Sequence, residues 1–192
     1  MFTARADGLG EPVSVVTSQC AFTVWLTGLS GAGKTTISQL LAGRLREDGR
    51  AVEVLDGDVV RSQLSKDLGF SKADRDENVR RLGARCEALV GSGTIVIVGA
   101  ISPYRAARDA VRAVAAPFVE VHCDCRMDVL VQRDPKGLYR EALAGRLPNF
   151  TGVSAPYEPP LAPEVTTHSD RETPGQSAAA IWAKLQELGL IA

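Results

Sequence analysis

The chain is 192 residues long, 45 % hydrophobic and 23 % charged, with a formal net charge of −1. That length suits one globular domain with a sizeable core. The balanced charge offers no general attraction to nucleic acid, and no apolar run reaches the ~20 residues of a membrane-spanning helix. Four cysteines, Cys20, Cys86, Cys123 and Cys125, are too few and too scattered for a disulfide scaffold, so a reduced, cytoplasmic setting is expected.

Residues 1–21 carry Arg5, Asp7 and Glu11 among glycine and proline breaks and lack the continuous apolar stretch of a secretory signal. They read as a loose leader to a single domain over 22–192. Phe22 to Thr27 reads as a buried strand. Thr36 to Arg46, with Ile37, Leu40, Leu41 and Leu45 at helical spacing, reads as a helix. Between them stands Gly28-Leu29-Ser30-Gly31-Ala32-Gly33-Lys34-Thr35, which fits the P-loop pattern G-x-x-x-x-G-K-S/T at every fixed position. Its glycines let backbone N–H groups turn inward around phosphate oxygens, and the following helix adds its positive dipole end. Lys34 is expected on the β- and γ-phosphates of a nucleotide, and the Thr35 hydroxyl at a Mg²⁺ position.

Ala51 to Leu55 reads as a second strand, ending in Asp56-Gly57-Asp58-Val59-Val60-Arg61. Ligands of doubly wound sheets sit at the carboxyl ends of strands. Asp56 and Asp58 flank one glycine and would face a single metal or hydroxyl; the competing reading is a solvated Asp-Gly turn. Ser71 to Asp74 has capping-box spacing with Asp at the third position, opening a helix to about Gly91 that packs Val79, Leu82, Cys86, Leu89 and Val90. Arg75 and Asn78 share one face of its first turns, where an exposed, salt-bridged surface is the alternative. Thr94 to Val98, between Gly93 and Gly99, reads as a central parallel strand buried on both faces.

That strand ends Gly99-Ala100-Ile101-Ser102, without the aspartate usual at this point of P-loop enzymes. Asp56 and Asp58 must then supply the carboxylate near the metal. Ser102-Pro103 has the form of an N-cap followed by proline at the first position of a helix over Ala106 to Ala115. Phe118 to Cys123 reads as a strand and Met127 to Gln132 as a short helix. His122-Cys123-Asp124-Cys125 lacks the second ligand pair of a tetrahedral metal site and reads as a strand end. Lys136 to Pro163 is rich in glycine and proline, carries Tyr139, Phe150 and Tyr157, and holds one helical patch, Leu138 to Ala144. A long irregular segment of this kind is commonly functional, and a lid over about 133–163 is expected. Thr173-Pro174-Gly175-Gln176 opens a last helix whose packing face is Ile181, Trp182, Leu185 and Leu188.

Strands alternating with helices predict an α/β fold, a doubly wound parallel sheet of the P-loop nucleoside-triphosphate type. The chain has no Asn/Thr-Lys-x-Asp motif, which weighs against a GTPase. Fold alone leaves kinase and ATPase open.

A series of blocks carries a closer resemblance. Gly28 to Thr36, Leu55 to Asp58, Asp67 to Ser71, Asp74-Arg75 with Glu77-Asn78, Ile101 to Tyr104, Lys136 to Tyr139 and Asn149 to Gly152 resemble, in order, the successive signatures of adenylylsulfate (APS) kinases. The resemblance covers about Phe22 to Ala192. It implies transfer of the ATP γ-phosphate to the 3′-hydroxyl of adenylyl sulfate, giving PAPS, with ATP as donor and Mg²⁺ as cofactor. It further implies a homodimer, with a sulfurylase as a candidate partner and neither nucleic acid nor membrane involved. ATP would be held by Gly28, Leu29, Ser30, Gly31, Ala32, Gly33, Lys34, Thr35 and Thr36, with Arg133 against its adenine. Thr35, Asp56 and Asp58 would hold Mg²⁺, with Asp58 near the acceptor hydroxyl and supported by Asp56. Arg61, Arg75 and Asn78 would hold the sulfate–phosphate and ribose end of the acceptor. Phe70 and Phe150 would sandwich its adenine, and Lys136 and the backbone around Ile101 would complete the pocket. Ser102 matches a serine that the family description often marks as a phosphoenzyme site; its capping reading stands beside that one. Val59 departs from the Asn common after Asp-Gly-Asp in the family. A P-loop kinase for another small hydroxyl acceptor and a nucleotide-binding partner module without turnover are the two other readings kept open.

Overall fold

The structure is a computed structural model that describes residues 20–192. The expected leader, up to residue 19, therefore lies outside the described residues. In chain order the elements are β1 (Thr23–Thr27), α1 (Lys34–Glu47), β2 (Val52–Asp56), α2 (Gly57–Leu64), α3 (Lys72–Gly91), β3 (Ile95–Gly99), α4 (Arg105–Val114), β4 (Phe118–Asp124), α5 (Met127–Arg133), α6 (Leu138–Leu143), β5 (Val165–His168) and α7 (Pro174–Glu187). The five strands form one sheet in the order β2-β3-β1-β4-β5, every neighbouring pair parallel.

β1 and β3 are buried along their whole length, as continuous apolar runs at the centre of a parallel sheet must be. Successive residues face opposite sides. Phe22, Val24 and Leu26 pack with Ile37, Leu41 and Leu45 of α1 and Ile181, Trp182 and Leu185 of α7. Trp25, Val96 and Val98 pack on the other side with Val79, Leu82 and Cys86 of α3 and Val111 of α4. The chain leaves β1 for β2 on one side of the sheet and leaves β3 for β4 on the other, so the loop after β1 sits where the strand order reverses. In open α/β sheets that switch point is where ligands bind.

Two helix starts follow their sequence signatures. Ser71 caps α3 in a full capping box with Asp74, and Thr173 caps α7 with Gln176 and Pro174 in the first turn. A third does not. The N-cap of α4 is Tyr104, and Ser102 lies two residues earlier in the left-handed region at φ +40°. The expectation of Ser102 as N-cap is thus corrected: Trp25 Nε1 donates to Ser102 Oγ at 3.0 Å, and Arg108 Nη1 donates to the Ser102 carbonyl at 2.6 Å. Those tertiary bonds pull the residue away from the helix. Leu40 and Leu188 are also not on packing faces; both are exposed. The Asp-Gly pair forms no turn either, because Asp56 caps α2 directly, its side chain accepting from Asp58 N at 3.0 Å.

One polar network ties α4 to β4. Arg108 Nε donates to Glu120 Oε1 at 2.7 Å with both side chains buried, and Arg108 Nη2 reaches the Glu158 carbonyl at 2.8 Å. Arg112 and Glu164 extend the network at the surface.

Candidate active site

The P-loop is shaped by contacts that admit no side chain. Gly28 has φ +150°, and a Cβ built on it would lie 2.3 Å from the Cys123 carbonyl oxygen. Gly33 has φ +91° and is the N-cap of α1, which leaves the first N–H groups of that helix without a side-chain cap and turned to the cleft. Within the loop, the Lys34 ammonium donates to the carbonyl oxygens of Gly28 at 2.8 Å and Leu29 at 2.7 Å. Burial is the largest influence on that amine and lowers its pKa to about 8, against the raising effect of nearby Cys123, Asp58 and Asp56. Ala32 is buried, and Tyr139 Oη donates to the Ser30 carbonyl at 2.9 Å, tying the loop to α6.

Beside Lys34, Thr35 Oγ1 donates to Asp56 Oδ2 at 2.7 Å. The capping role of Asp56 fixes its carboxylate at the end of β2, next to the start of α1. Asp58, in the first turn of α2, is exposed and ion-paired to Lys136 from the segment after α5. A hydroxyl and two carboxylates are hard oxygen donors of the kind Mg²⁺ takes, so the residues present fit that ion. The end of β3 carries no carboxylate, whereas the neighbouring β2 ends in Asp56.

From this end a single cleft of about 790 Å³ runs between α2, α3 and the segment after α5. Gly31, Gly33, Lys34, Thr35, Thr36 and Ser30 line it at one end. Arg61, Phe70, Arg75, Asn78, Ile101, Ser102, Lys136 and Phe150 line it further on. Gly28, Leu29, Ala32 and Arg133 are outside that lining. Arg133 instead donates through Nη1 to Ser169 Oγ at 3.0 Å and through Nη2 to the Ser169 carbonyl, at the edge of the P-loop beside Gly33. Val59 points away, half exposed.

The cations of the far end are held by carbonyl oxygens. Arg61 donates to the carbonyls of Leu68 and Gly69, with its guanidinium carbon 4.3 Å from the centre of the Phe70 ring. Arg75 donates to the Phe70 carbonyl at 3.2 Å and the Asn149 carbonyl at 2.6 Å; burial lowers its pKa from the usual arginine value. Arg75 and Asn78 are both buried, so the exposed, salt-bridged alternative for this face is set aside for these two; Glu77, Arg80 and Arg81 carry the salt bridges instead. Phe70 is 57 % exposed, whereas Phe150 is buried and meets Tyr139 edge-on at 5.1 Å.

Ser102 lines the cleft but is 4 % exposed, its hydroxyl engaged by Trp25 and donating to the Ala100 carbonyl at 3.3 Å. Three residues to which sequence reasoning gave no role in the site hold this corner. Thr27 Oγ1 donates to the Ile101 carbonyl at 2.8 Å, and Tyr157 Oη lies 3.1 Å from the same Thr27 oxygen. Arg108 supplies the bond to the Ser102 carbonyl. Nothing local marks Thr27 or Arg108 in the sequence; Tyr157 at least falls in the aromatic-bearing segment expected to be a lid.

Comparison with known proteins bears on this cleft. A model of the adenylylsulphate kinase family matches residues 20–168. An adenylyl-sulfate kinase of Rippkaea orientalis is 55 % identical over 174 residues, which cover 91 % of this chain and 96 % of that protein. A probable bifunctional SAT/APS kinase of Sorangium cellulosum is 54 % identical over 88 % of this chain, which spans 29 % of that longer protein. Among solved structures, the Mycobacterium tuberculosis APS kinase in complex with AMPPNP and APS superposes with a TM-score of 0.83 at 42 % identity, covering 86 % of this chain and 98 % of that one.

Proposed function

Because the chain belongs to the adenylylsulphate kinase family, we propose that it transfers the γ-phosphate of ATP to the 3′-hydroxyl of adenylyl sulfate, giving PAPS. The observation that carries this reading is the continuity of one cleft, with the phosphate-binding loop at one end and Arg61, Phe70, Arg75 and Asn78 at the other. Two polyanions meeting there repel each other, and the arrangement answers that repulsion with guanidinium groups and the Lys34 ammonium. The relative solved with AMPPNP and APS supports a shared site for donor and acceptor.

In this reading Lys34 and the α1 N-terminus stabilise the charge that spreads over the transferred phosphoryl group. Asp58 faces the 3′-hydroxyl and accepts its proton as the oxygen attacks. Phe70 and Phe150 flank the acceptor adenine, and Arg133 flanks that of ATP. Thr35, Asp56 and Asp58 would hold Mg²⁺, which when bound supplies positive charge to the β- and γ-phosphates. Ser102 serves the architecture: its hydroxyl is already engaged by Trp25 and Ala100, and in-line transfer needs no covalent intermediate. The segment over about 133–163 acts as the lid, carrying Lys136 and Phe150 to the site.

We further infer a homodimer, and an association with a sulfurylase that the fused Sorangium relative makes physically reasonable. No helix among the described residues is long and apolar enough to cross a membrane, and a cytoplasmic setting is part of the same proposal. The deciding experiment incubates the protein with Mg·ATP and adenylyl sulfate and follows PAPS. Stoichiometric PAPS is expected, and failure to turn over an acceptor that binds would leave a nucleotide-binding module instead.

A further inference from the structure

Among the buried polar side chains that line the cleft are Ser65, Asn78 and Thr151, exposed by 1 %, 9 % and 2 %. Ser65 Oγ, Asn78 Oδ1 and Thr151 Oγ1 have no hydrogen-bond partner. A buried polar atom left in that state is costly, and native proteins keep few of them without a reason such as a ligand or an ordered water. Asn78 already has a place in the acceptor reading. Ser65 and Thr151 have none.

Ser65 is the C-cap of α2. Its backbone N–H is used by the Arg61 carbonyl at 3.3 Å and its own carbonyl by Leu68 N at 3.1 Å, which leaves the hydroxyl as its free group. It opens the short loop that ends in Phe70. Thr151 directly follows Phe150, and its backbone is fixed by a bridge to Ala155. Ser65 and Thr151 thus belong to the chain segments that carry the two aromatic residues lining the cleft. The anionic oxygens of two nucleotides have Lys34, Arg61, Arg75 and Lys136 to meet them. A neutral hydroxyl both donates and accepts, and beside an aromatic wall it suits the mixed donor and acceptor edge of a heterocyclic base. We propose that Ser65 and Thr151 hydrogen-bond the edge of the acceptor's nucleobase and set the preference for adenine. This rests on the kinase reading above and adds two specificity-determining residues to it.

The test compares Ser65→Ala, Thr151→Val and the conservative Thr151→Ser with the unaltered protein. Acceptors are adenylyl sulfate and its guanine counterpart, guanosine 5′-phosphosulfate, with binding measured by calorimetry and turnover by product formation. Ser65→Ala and Thr151→Val each weaken adenylyl sulfate by about three- to tenfold, the worth of one net hydrogen bond. They leave kcat at saturating acceptor and the KM for ATP in place, and they shrink the adenine-over-guanine preference by the same factor. Thr151→Ser stays within about twofold. The melting temperature of the ligand-free protein does not fall, because neither hydroxyl has a partner to lose. Unchanged acceptor affinity, equal loss for both bases, or a lowered ligand-free melting temperature that Thr151→Ser fails to restore would each overturn the assignment. An unaltered protein that makes PAPS while the variants match it rejects these two residues alone. An unaltered protein that binds neither acceptor rejects the kinase reading and this assignment with it.

Discussion

Lys34 makes the phosphate site sensitive to pH in a direction that can be worked out. Its pKa is lowered to about 8, chiefly by burial, from 10.5 in an unfolded chain. Between those values the unfolded chain holds the extra proton, so the stability of the free protein rises with pH across that window. At neutral pH the part-buried ammonium costs the fold on the order of 3 kcal/mol. A bound triphosphate reverses the balance, because its oxygens favour the ammonium. Donor binding therefore takes up a proton as the pH rises through about 8. From pH 7 to pH 9 the affinity for a non-hydrolysable ATP analogue falls about tenfold, or ~1.4 kcal/mol. Tyr157 and Cys123 are pushed by burial to about 12 and about 11, outside this window. The assay is calorimetric titration at several pH values in buffers of differing ionisation enthalpy, on the unaltered protein and on Lys34→Arg, whose guanidinium keeps its charge throughout. An affinity that is flat from pH 7 to 9, or that falls equally in the arginine variant, would refute the argument.

Ser102→Ala retains turnover within about threefold and acquires no protein-bound phosphate from labelled ATP. It loses about 1–3 kcal/mol of stability, because the buried Trp25 N–H is left without its acceptor; a phosphorylated protein, or a hundredfold loss of kcat in a well-folded variant, contradicts this. Phe70→Ala and Phe150→Ala separate stacking from packing. The exposed Phe70 costs about 1–3 kcal/mol of acceptor affinity with little change in melting temperature, whereas the buried Phe150, packed on Tyr139, costs about 3–5 kcal/mol of stability as well. Arg108→Met strands the buried Glu120 carboxylate and frees the Ser102 carbonyl, so chemical denaturation shows a loss of about 3–5 kcal/mol. A loss below ~1 kcal/mol would show that Arg112 alone satisfies Glu120.

What the sequence revealed was what short-range chemistry encodes. The P-loop, the apolar runs of β1, β3 and β4, and the two capping boxes are written in neighbouring residues. β5 escaped notice because its four residues, Val165–His168, are mostly polar and lie at the sheet edge with Thr167 alone fully buried. α2 was hidden by an Asp-Gly pair that has the composition of a turn. Ser102-Pro103 carried a local signature that longer-range bonds from Trp25 and Arg108 overrode. The same limit applies to the site. Arg61, Arg75 and Lys136 were identified by resemblance, but that Lys136 reaches Asp58, 78 positions away in the chain, or that Arg133 leans on Ser169, follows only from the folded topology.

Several cations line this cleft, and in the free protein three of them rest on uncharged oxygens: Lys34 on Gly28 and Leu29, Arg61 on Leu68 and Gly69, and Arg75 on Phe70 and Asn149; Arg133, beside the P-loop, rests likewise on Ser169. Carbonyl and hydroxyl acceptors hold a cation in place without neutralising it. The site thus keeps most of its positive charge for the ligands, and its side chains are ordered before they arrive, which lowers the entropic cost of binding. Lys136 differs in having a carboxylate partner, Asp58, and that pair must loosen if Asp58 is to face a hydroxyl. Both side chains are more than half exposed, where such pairs contribute only about 0–1 kcal/mol. The contact is therefore too weak to lock the cleft shut, and an arriving polyanion that attracts Lys136 is sufficient to release Asp58. Lys136→Met should accordingly raise the KM for acceptor more than it changes kcat, with ATP affinity little altered; a rise in kcat would show that breaking the pair limits turnover.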